Sequence, residues 1–241
     1  MNTAQPAWLY DEFQQVGVDF TDVAQVAAFD CNQRSSSVEA EQRLVTQLGI
    51  AAGHVVVDLG CGTGTFVIQA ALAGASVQAV DVSLAMLTYA QQKAAQANVP
   101  QLQFHHAGFL TYEHPPNSAD FVVTKFALHH LPDFWKMVAL LRIAAMLKPG
   151  GLLYLKDVIF SFEPREYAAR IEAWIRRMAK PSSEGFTAAE FTAHIREERS
   201  TYAWIIEEML QRAGFEIVEA DRFAPEYATY LCKKRSAKGD D

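Results

Sequence analysis

The sequence contains little cysteine. Cys31, Cys61 and Cys232 are scattered through 241 residues and odd in number. They fit neither a disulfide framework nor a zinc site, because the ligands of both recur at short, characteristic spacings. We therefore expect no metal site. Because reduced thiols are typical of the cytosol, we also expect a cytoplasmic protein.

The sequence also lacks a long apolar run and an excess of basic residues. No stretch of about 18 uncharged apolar residues occurs, and the opening MNTAQPAWLYDEF lacks the basic and apolar regions of a secretory signal. Lysine and arginine number 21 against 28 acidic residues, which gives a net charge of −7. Since nucleic-acid binding usually requires a basic face, we expect neither nucleic acid nor a membrane as a partner.

What the sequence does contain is an alternation of strand and helix patterns from about residue 38. Short runs rich in β-branched residues alternate with longer stretches of helical character. The predicted strands are HVVVDLG, SVQAVDV, QLQFHHA, ADFVVTKF and LLYLKDVI. This alternation predicts an α/β fold with a doubly wound parallel sheet.

Two regions depart from the alternation. Residues 1–37 look helical and rich in aromatics, which predicts an N-terminal helical cap in front of a domain formed by residues 38–241. Residues from about 161 to 213 show helical spacing without a strand, so we expect a helical insertion there. GFEIVEADRF and YATYLCKK then predict two strands that pair antiparallel across a short turn at Pro225.

The stretch VVVDLGCGTG carries the most specific signal. Gly60, Gly62 and Gly64 follow the first strand and open a helix, as expected where a ligand lies so close that a Cβ would collide with it. The order G-C-G-T-G differs from the G-x-G-x-x-G of pyrophosphate-binding turns. Asp58, two residues before the first glycine, favours a ligand with a cationic group.

Asp81 ends the second predicted strand, about twenty residues beyond the first glycine. In nucleoside-binding α/β folds a carboxylate at this place accepts both ribose hydroxyls. The glycine turn, Asp58 and Asp81 together predict a ribonucleoside bound across the carboxyl ends of neighbouring strands.

In these motifs the sequence resembles the class I S-adenosylmethionine-dependent methyltransferases, and among them the small-molecule group that includes the ubiquinone/menaquinone C-methyltransferases. VVVDLGCGTG is similar to the family's first motif, VDVS to its acidic second motif, TKFALHHLPD to its fourth-strand motif and MLKPGGLLYL to the turn into the fifth strand. The resemblance covers roughly residues 40–160. It implies a Rossmann-like seven-stranded sheet of order 3-2-1-4-5-7-6 with strand 7 antiparallel, and S-adenosyl-L-methionine as the cofactor.

The resemblance also implies which residues hold that cofactor. Carried onto this sequence, the family's cofactor site comprises Asp58, Gly60, Cys61, Gly62, Asp81, Val82, Met86, Gly108, Phe109 and Lys125. Asp58 would orient the ammonium group and Asp81 the ribose. Val82 and Met86 would pack on the adenine.

The stretch HHAGFL departs from the family pattern. Where the family usually has an acid that accepts the adenine amino group, this sequence has Gly108. The backbone amide of Phe109 still suits adenine N1. The acceptor for the amino group is therefore left open.

Candidates for the methyl-acceptor side follow the fourth and fifth strands or lie in the flanking segments. LHHLPD offers His129 or His130 as a base for an acceptor that loses a proton, and bracing of the loop is the alternative role for either. The predicted acceptor pocket comprises Tyr10, Phe13, Phe20, Phe126, Asp157, Arg196 and Trp204. Bracing is an equal alternative for Asp157, and Arg196 with Trp204 would belong to a lid.

The reaction implied is in-line displacement at the sulfonium methyl, for which the protein holds the acceptor and excludes water. Catechol-type enzymes place a magnesium-binding aspartate at the end of the fourth strand, where this sequence has Thr124 and Lys125. We therefore expect metal-independent transfer to a small molecule. A non-catalytic S-adenosylmethionine-binding module and methylation of RNA or protein remain alternatives, and a homodimer is left open. Asp58 and the turn spacing disfavour a nicotinamide-dependent reductase.

Overall fold

The structure of the protein, a computed structural model, describes residues 6–16, 26, 30, 37–99, 101–182 and 184–236. Its helices are α1 (Val38–Leu48), α2 (Thr65–Leu72), α3 (Leu84–Ala97), α4 (Asp133–Met146), α5 (Tyr167–Met178), α6 (Ala188–Glu197) and α7 (Ala203–Arg212). Its strands are β1 (Val55–Leu59), β2 (Ser76–Asp81), β3 (Leu102–His106), β4 (Ala119–Lys125), β5 (Leu147–Phe160), β6 (Thr201–Tyr202), β7 (Phe215–Ala224) and β8 (Tyr227–Lys234). Short 3-10 turns span Leu128–His130 and Pro164–Glu166.

The helices begin and end at capping residues. Ser37 precedes α1 and its side chain accepts a hydrogen bond from the Ala40 amide, while Gly49 ends the helix with φ of 70°. Ser83 caps α3 in the same way. Asn98, with φ of 52°, ends α3.

The sheet has the order β3-β2-β1-β4-β5-β8-β7, with β1 to β5 parallel and β8 antiparallel to both neighbours. Strands β7 and β8 are the predicted sixth and seventh strands, so the predicted order is confirmed. One expectation was wrong, because the short strand β6 lies within the segment thought to be helical throughout. It pairs with the end of β5, which runs on past the last residue of β4 and leaves its edge free.

Helices cover both faces of the sheet. One core cluster includes buried side chains of α1, α2 and α3, and the other includes side chains of α4 and α7. Helix α7 therefore packs on the sheet, whereas α5 and α6 share a third cluster around Trp174 and Phe160. The division of the chain into a cap, a domain and an insertion stays a prediction.

Residues 6–16, the N-terminal segment, form turns rather than the expected helix. The segment lies over the carboxyl end of the sheet through aromatic contacts. The rings of Trp8 and Tyr10 lie 6.4 and 6.3 Å from that of Trp135 in α4, and the Phe13 ring lies 5.1 Å from that of His106. Phe20 lies outside the described residues. In the part of the chain that the structure describes, no helix has the length and apolar character needed to cross a membrane.

Candidate functional site

A cavity of about 250 Å³ opens at the carboxyl ends of β1, β2, β3 and β4, under the N-terminal segment. All ten residues of the predicted cofactor set line it: Asp58, Gly60, Cys61, Gly62, Asp81, Val82, Met86, Gly108, Phe109 and Lys125. They lie near the carboxyl ends of four parallel strands, in the turns that follow those strands, or in the first turn of the next helix. The doubly wound topology thus gathers residues that lie far apart in the sequence.

The three glycines of the first turn serve different purposes. A Cβ on Gly60 would lie 2.3 Å from the Cβ of Ala127, and one on Gly64 would lie 2.8 Å from the Cβ of Ala90. Only Gly62, with φ of 52°, meets nothing within 4 Å. The turn therefore needs two of its glycines for contact with its own chain. Gly62 alone fits the predicted approach of a ligand.

Asp81 is buried, and both of its oxygens face backbone donors. Oδ2 accepts a hydrogen bond of 2.8 Å from the Gly62 amide, and Oδ1 accepts one of 2.8 Å from the Ser83 amide. Burial raises the pKa of Asp81, and these two amides oppose the rise. Each oxygen retains a further lone pair, so the carboxylate can accept two more donors.

Asp58 lies at the bottom of the cavity with an unsatisfied atom. Its side chain is 2% exposed, and Oδ1 has no hydrogen-bond partner among the described residues. Burial raises the pKa of Asp58 to about 7, although the positive charge of Lys125 opposes the rise. A buried carboxylate with a vacant oxygen suits a cationic group, which would keep it ionised.

Lys125 is itself paired with a residue that the sequence analysis missed. Its Nζ donates to Oε1 of Glu41 at 2.6 Å and lies 5.0 Å from the centre of the Phe66 ring. Glu41 is 3% exposed although it belongs to α1, whose other early residues face solvent. No sequence signal marks Glu41, because a glutamate in the first turn of a helix is ordinarily a surface residue.

Cys61 is buried between the glycines of the turn. Burial raises the pKa of its thiol well above the ordinary range, and the charges of Asp81 and Asp58 add to the rise. The thiol is therefore protonated and unsuited to act as a nucleophile.

The two histidines after β4 differ in their surroundings. His129 is 6% exposed, and its Nδ1 pairs with Asp157 while its Nε2 lies 2.9 Å from Oε2 of Glu198. Burial disfavours the imidazolium, but the two carboxylates overcome this and raise the pKa of His129 to about 10. His194 pairs with the same Glu198 oxygen. We call these four residues the His129 cluster.

The His129 cluster ties α6 to the sheet, because Glu198 follows α6 and Asp157 lies in β5. Its His129, His194 and Glu198 each offer a potential ligand atom within 4.8 Å of one another, as in metal sites. Here the raised pKa of His129 makes its contact with Glu198 an ion pair, so we interpret the group as a charge cluster. His129 is thereby not available as a base.

His130, in contrast, lines the cavity. Burial and the neighbouring charge of His129 lower the pKa of His130 to about 4. It is therefore neutral near pH 7 and able to accept a hydrogen bond. The structure thus separates two adjacent histidines that the sequence did not distinguish.

The other acceptor-side predictions divide between the cavity and the protein surface. Tyr10, Phe13 and Phe126 line the cavity, whereas the lining does not include Asp157, Arg196 or Trp204. Asp157 is buried in the His129 cluster, where it also accepts from the His129 amide at 3.0 Å.

Arg196 and Trp204 lie outside the cavity for local reasons. Arg196 pairs with the adjacent Glu197 at 2.6 Å. Trp204 is 65% exposed and stacks on Tyr202. The lid prediction for these two residues thus gains no support from their positions.

The Gly108 slot after β3 is filled by a residue that the sequence analysis did not consider. A Cβ on Gly108 would lie 2.4 Å from Cδ and Oε2 of Glu12, which lines the cavity from the N-terminal segment. No local sequence pattern near Glu12 indicates this contact, because Glu12 and Gly108 lie far apart in the sequence.

Comparison with known proteins agrees with this geometry. Residues 56–151 match the family model of the methyltransferase domain. The chain is 31% identical to 27-O-demethylrifamycin SV methyltransferase from Amycolatopsis mediterranei over 64% of its own length and 57% of that protein. It spans a little over half the length of the first curated relatives that it matches.

Solved structures share the fold. Magnesium protoporphyrin IX methyltransferase from Synechocystis, with bound SAM, aligns with a TM-score of 0.58 and 21% identity, covering 93% of this chain and 88% of that one. Phosphoethanolamine N-methyltransferase 2 of Haemonchus contortus aligns with a TM-score of 0.68 and 16% identity, and the alignment covers 89% of this chain and 58% of that one.

The sheet order is that of a Rossmann-like fold, which this chain shares with the solved methyltransferase structures. Residues 56–151 are similar to a methyltransferase domain, and the glycine turn with its two aspartates lies within that matched stretch. The narrower likeness to the ubiquinone/menaquinone group stays a prediction.

Proposed function

We propose that this protein transfers the methyl group of S-adenosylmethionine to a small-molecule acceptor without a metal ion. The observation that carries the proposal is the pairing of two buried carboxylates in one cavity. Asp58 offers a vacant oxygen where a cation would sit, and Asp81 offers spare lone pairs where a diol would sit. A ligand with an ammonium group and a ribose satisfies both.

The residues present fit this cofactor. Gly62 leaves open space beside the turn, so the methionine part can lie against the backbone. Val82 and Met86 line the cavity next to Asp81, where they would contact the adenine faces. The positive charge of Lys125 opposes the rise in the pKa of Asp58, which favours the ionised carboxylate that an ammonium group needs, whereas the charge of Glu41 adds to that rise.

The cofactor supplies an electrophilic methyl group on a sulfonium, so the chain mainly orients the acceptor and excludes water. Tyr10, Phe13, Phe126 and Leu131 supply an apolar cover over the cavity. Neutral His130 accepts a hydrogen bond from an acceptor O–H or N–H and directs the lone pair of that atom. With a pKa near 4 it is a weak base, so it takes the proton only as the new bond forms.

A small molecule is the better acceptor because the N-terminal segment crosses the cavity and leaves limited room. The A. mediterranei relative is named for 27-O-demethylrifamycin SV, and the Synechocystis structure is named for magnesium protoporphyrin IX. The net charge of −7 also argues against a nucleic-acid acceptor. Methylation of a macromolecule would require the N-terminal segment to move aside.

The experiment is a two-stage assay on the full chain. Calorimetry with S-adenosylmethionine, S-adenosylhomocysteine and NAD comes first, and we expect binding of the first two only. A metabolite panel of phenols, amines and hydroxy acids is then screened for formation of S-adenosylhomocysteine. Binding of NAD in place of the methionine nucleosides would refute the cofactor proposal. Cofactor binding with turnover only on RNA or protein would refute the small-molecule acceptor.

Metal independence is tested on the first acceptor found. Lys125 ends β4 and is held by Glu41, so a cation rather than a metal-binding carboxylate lies at this edge. Turnover should therefore survive EDTA. Activity that EDTA abolishes and magnesium restores would contradict the proposal.

A further inference from the structure

Glu12 occupies the place that a side chain at position 108 would take. The Cβ position of Gly108 lies 2.4 Å from the Glu12 carboxylate and 2.8 Å from Cγ1 of Val82. An aspartate at position 108 would carry its own carboxylate into the same space. No acidic residue follows β3 in the sequence at this place, but the Glu12 carboxylate of the N-terminal segment occupies the position where its side chain would lie.

The Glu12 carboxylate is fixed in position and retains acceptor capacity. The Leu110 amide donates to both oxygens, at 3.1 Å to Oε1 and 3.0 Å to Oε2, and the Thr111 hydroxyl donates to Oε1 at 2.7 Å. The residue is 8% exposed. Since a carboxylate has about four lone-pair sites, Oε2 can accept a further donor from the cavity.

We propose that Glu12 accepts the hydrogen bond of the adenine amino group. The amide of Phe109, on the same turn, would donate to adenine N1, so the two contacts read adjacent positions of one ring edge. A carboxylate accepts from an amino group and repels a carbonyl, which gives selectivity for adenine over oxo-purines. The inference rests on the proposed function, because it requires an adenine in this cavity.

Because Glu12 lies in the N-terminal segment, cofactor binding is coupled to the position of the segment that covers the cavity. Tyr10 and Phe13 lie in the same N-terminal segment and also line the cavity. An adenine held by Glu12 therefore also holds the segment in place. Ordering of the acceptor pocket becomes a consequence of cofactor binding.

The test is calorimetry with two ligands and three proteins. The ligands are S-adenosylhomocysteine and its analogue with unsubstituted purine, which keeps N1 and lacks only the amino group. The proteins are the wild type, Glu12→Ala and Asp11→Asn, an exposed charge loss in the same segment. We expect Glu12→Ala to weaken S-adenosylhomocysteine binding about 10- to 100-fold and to leave the purine analogue nearly unchanged. Asp11→Asn should match the wild type for both ligands.

A rescue variant separates recognition from folding. Gly108 does not lie in the left-handed region, so its backbone accepts an aspartate once Glu12 is shortened and the Val82 side chain shifts away from the new Cβ. Glu12→Ala combined with Gly108→Asp should regain the preference for adenine over purine. Glu12→Gln, which keeps an oxygen for the Leu110 amide, serves as the binding variant if thermal unfolding shows that the alanine variant is not folded.

The outcomes are distinguishable. A wild type that binds neither ligand refutes the proposed function itself. A wild type that binds S-adenosylhomocysteine, with variants that bind both ligands as tightly as it does, refutes the role of Glu12 alone. Equal losses for both ligands also refute it, because they would show a purely structural contribution.

Discussion

At the scale of single residues, the burial of Asp58 lowers the stability of the ligand-free fold but favours the binding of a cationic ligand group. Burial raises its pKa to about 7 from an ordinary value of 3.8, so the ligand-free fold opposes its ionisation. A raised carboxylate pKa costs stability as pH rises through the interval between the two values, here from about 4 to 7. The cationic ligand group reverses this cost.

Asp58→Asn should therefore stabilise the ligand-free protein while weakening its ligand binding. We expect a gain of about 1–3 kcal/mol in the free energy of unfolding at pH 8 and little gain near pH 4, since both forms are then neutral. Urea unfolding at the two pH values and calorimetry with S-adenosylhomocysteine measure both effects. A loss of stability at pH 8 would show that Asp58 is satisfied in the free protein.

His130 gives a second prediction at this scale. His130→Ala should lower kcat about 10²-fold or more for an acceptor that must lose a proton, and should leave S-adenosylhomocysteine binding unchanged. Because burial and His129 hold its pKa near 4, the wild-type rate should show no acidic limb from this residue above pH 5. If kcat for methylation of the acceptor is unchanged in His130→Ala, His130 lines the cavity without contributing to the reaction.

The site residues that belong to a recognisable sequence motif could be predicted, whereas the residues whose partners are distant in the sequence could not. Asp58, Asp81 and Gly62 follow strands in a motif, so their place in the cavity could be predicted from the sequence. Glu12 and Glu41 pair with residues that are distant in the sequence, and nothing beside them signals the contact. Gly60 lines the cavity, but nothing in the sequence reveals that a Cβ there would also meet Ala127.

At the scale of elements, the His129 cluster joins α6 to the sheet. The raised pKa of His129 contributes stability that is complete below about pH 6.5 and is lost as pH rises through about 10. Ion pairing with His129 overcomes the burial of Asp157 and Glu198 and lowers their pKa values, so their contribution is present above their ordinary values and is lost in acid. The cluster is therefore strongest in the interval between about pH 5 and 6.5.

His129→Gln should leave the buried Asp157 carboxylate without its cation and Glu198 with only its His194 contact. We expect a loss of about 3–5 kcal/mol in the free energy of unfolding at pH 6. The difference from the wild type should shrink towards pH 10, where His129 loses its proton. Arg196→Gln, at an exposed ion pair near the end of α6, is the control and should cost less than about 1 kcal/mol. If the difference in unfolding free energy between His129→Gln and the wild type stays constant from pH 6 to 10, the positive charge of His129 does not contribute to stability.

The N-terminal segment gives the second prediction at the element scale. Removing residues 1–16 takes away Glu12 together with Tyr10 and Phe13. Cofactor binding should weaken about as much as in Glu12→Ala, and methyl transfer should be abolished, because the acceptor side loses its cover. Stopped assays on the first acceptor found, together with calorimetry, measure both. Normal turnover of the truncated protein would contradict the covering role.

Elements with strong periodicity were predicted correctly, and elements made by tertiary contact were not. The five parallel strands and the closing hairpin follow from β-branched runs and turn residues, and the order of the sheet follows from the resemblance. The two-residue β6 forms only because β5 leaves a free edge. The N-terminal segment folds as turns because its aromatics contact Trp135 and His106, which its own sequence does not reveal.

At the scale of the whole molecule, the cavity lies between the N-terminal segment and the carboxyl end of the sheet. The turns after β1, β2, β3 and β4 and the N-terminal segment all line it. A ligand that fills the cavity therefore links the segment to the sheet and stabilises the folded state as a whole, by an amount set by its concentration relative to its Kd.

S-adenosylhomocysteine at 100 times its Kd should stabilise the wild type by about 2.7 kcal/mol, which corresponds to a rise in Tm of roughly 5–10 °C for a domain of this size. Asp81→Ala should lose about 1–3 kcal/mol of binding free energy, because its carboxylate accepts from the Gly62 amide and is proposed to accept from the ribose. At the same ligand concentration its rise in Tm should therefore be much smaller. Asp221→Ala, which removes an exposed aspartate of β7 outside the cavity lining, is the matched control and should retain the full rise. Differential scanning calorimetry measures all three proteins, with NAD as the negative ligand. A rise in Asp81→Ala equal to that of the wild type would mean that the ribose is bound elsewhere.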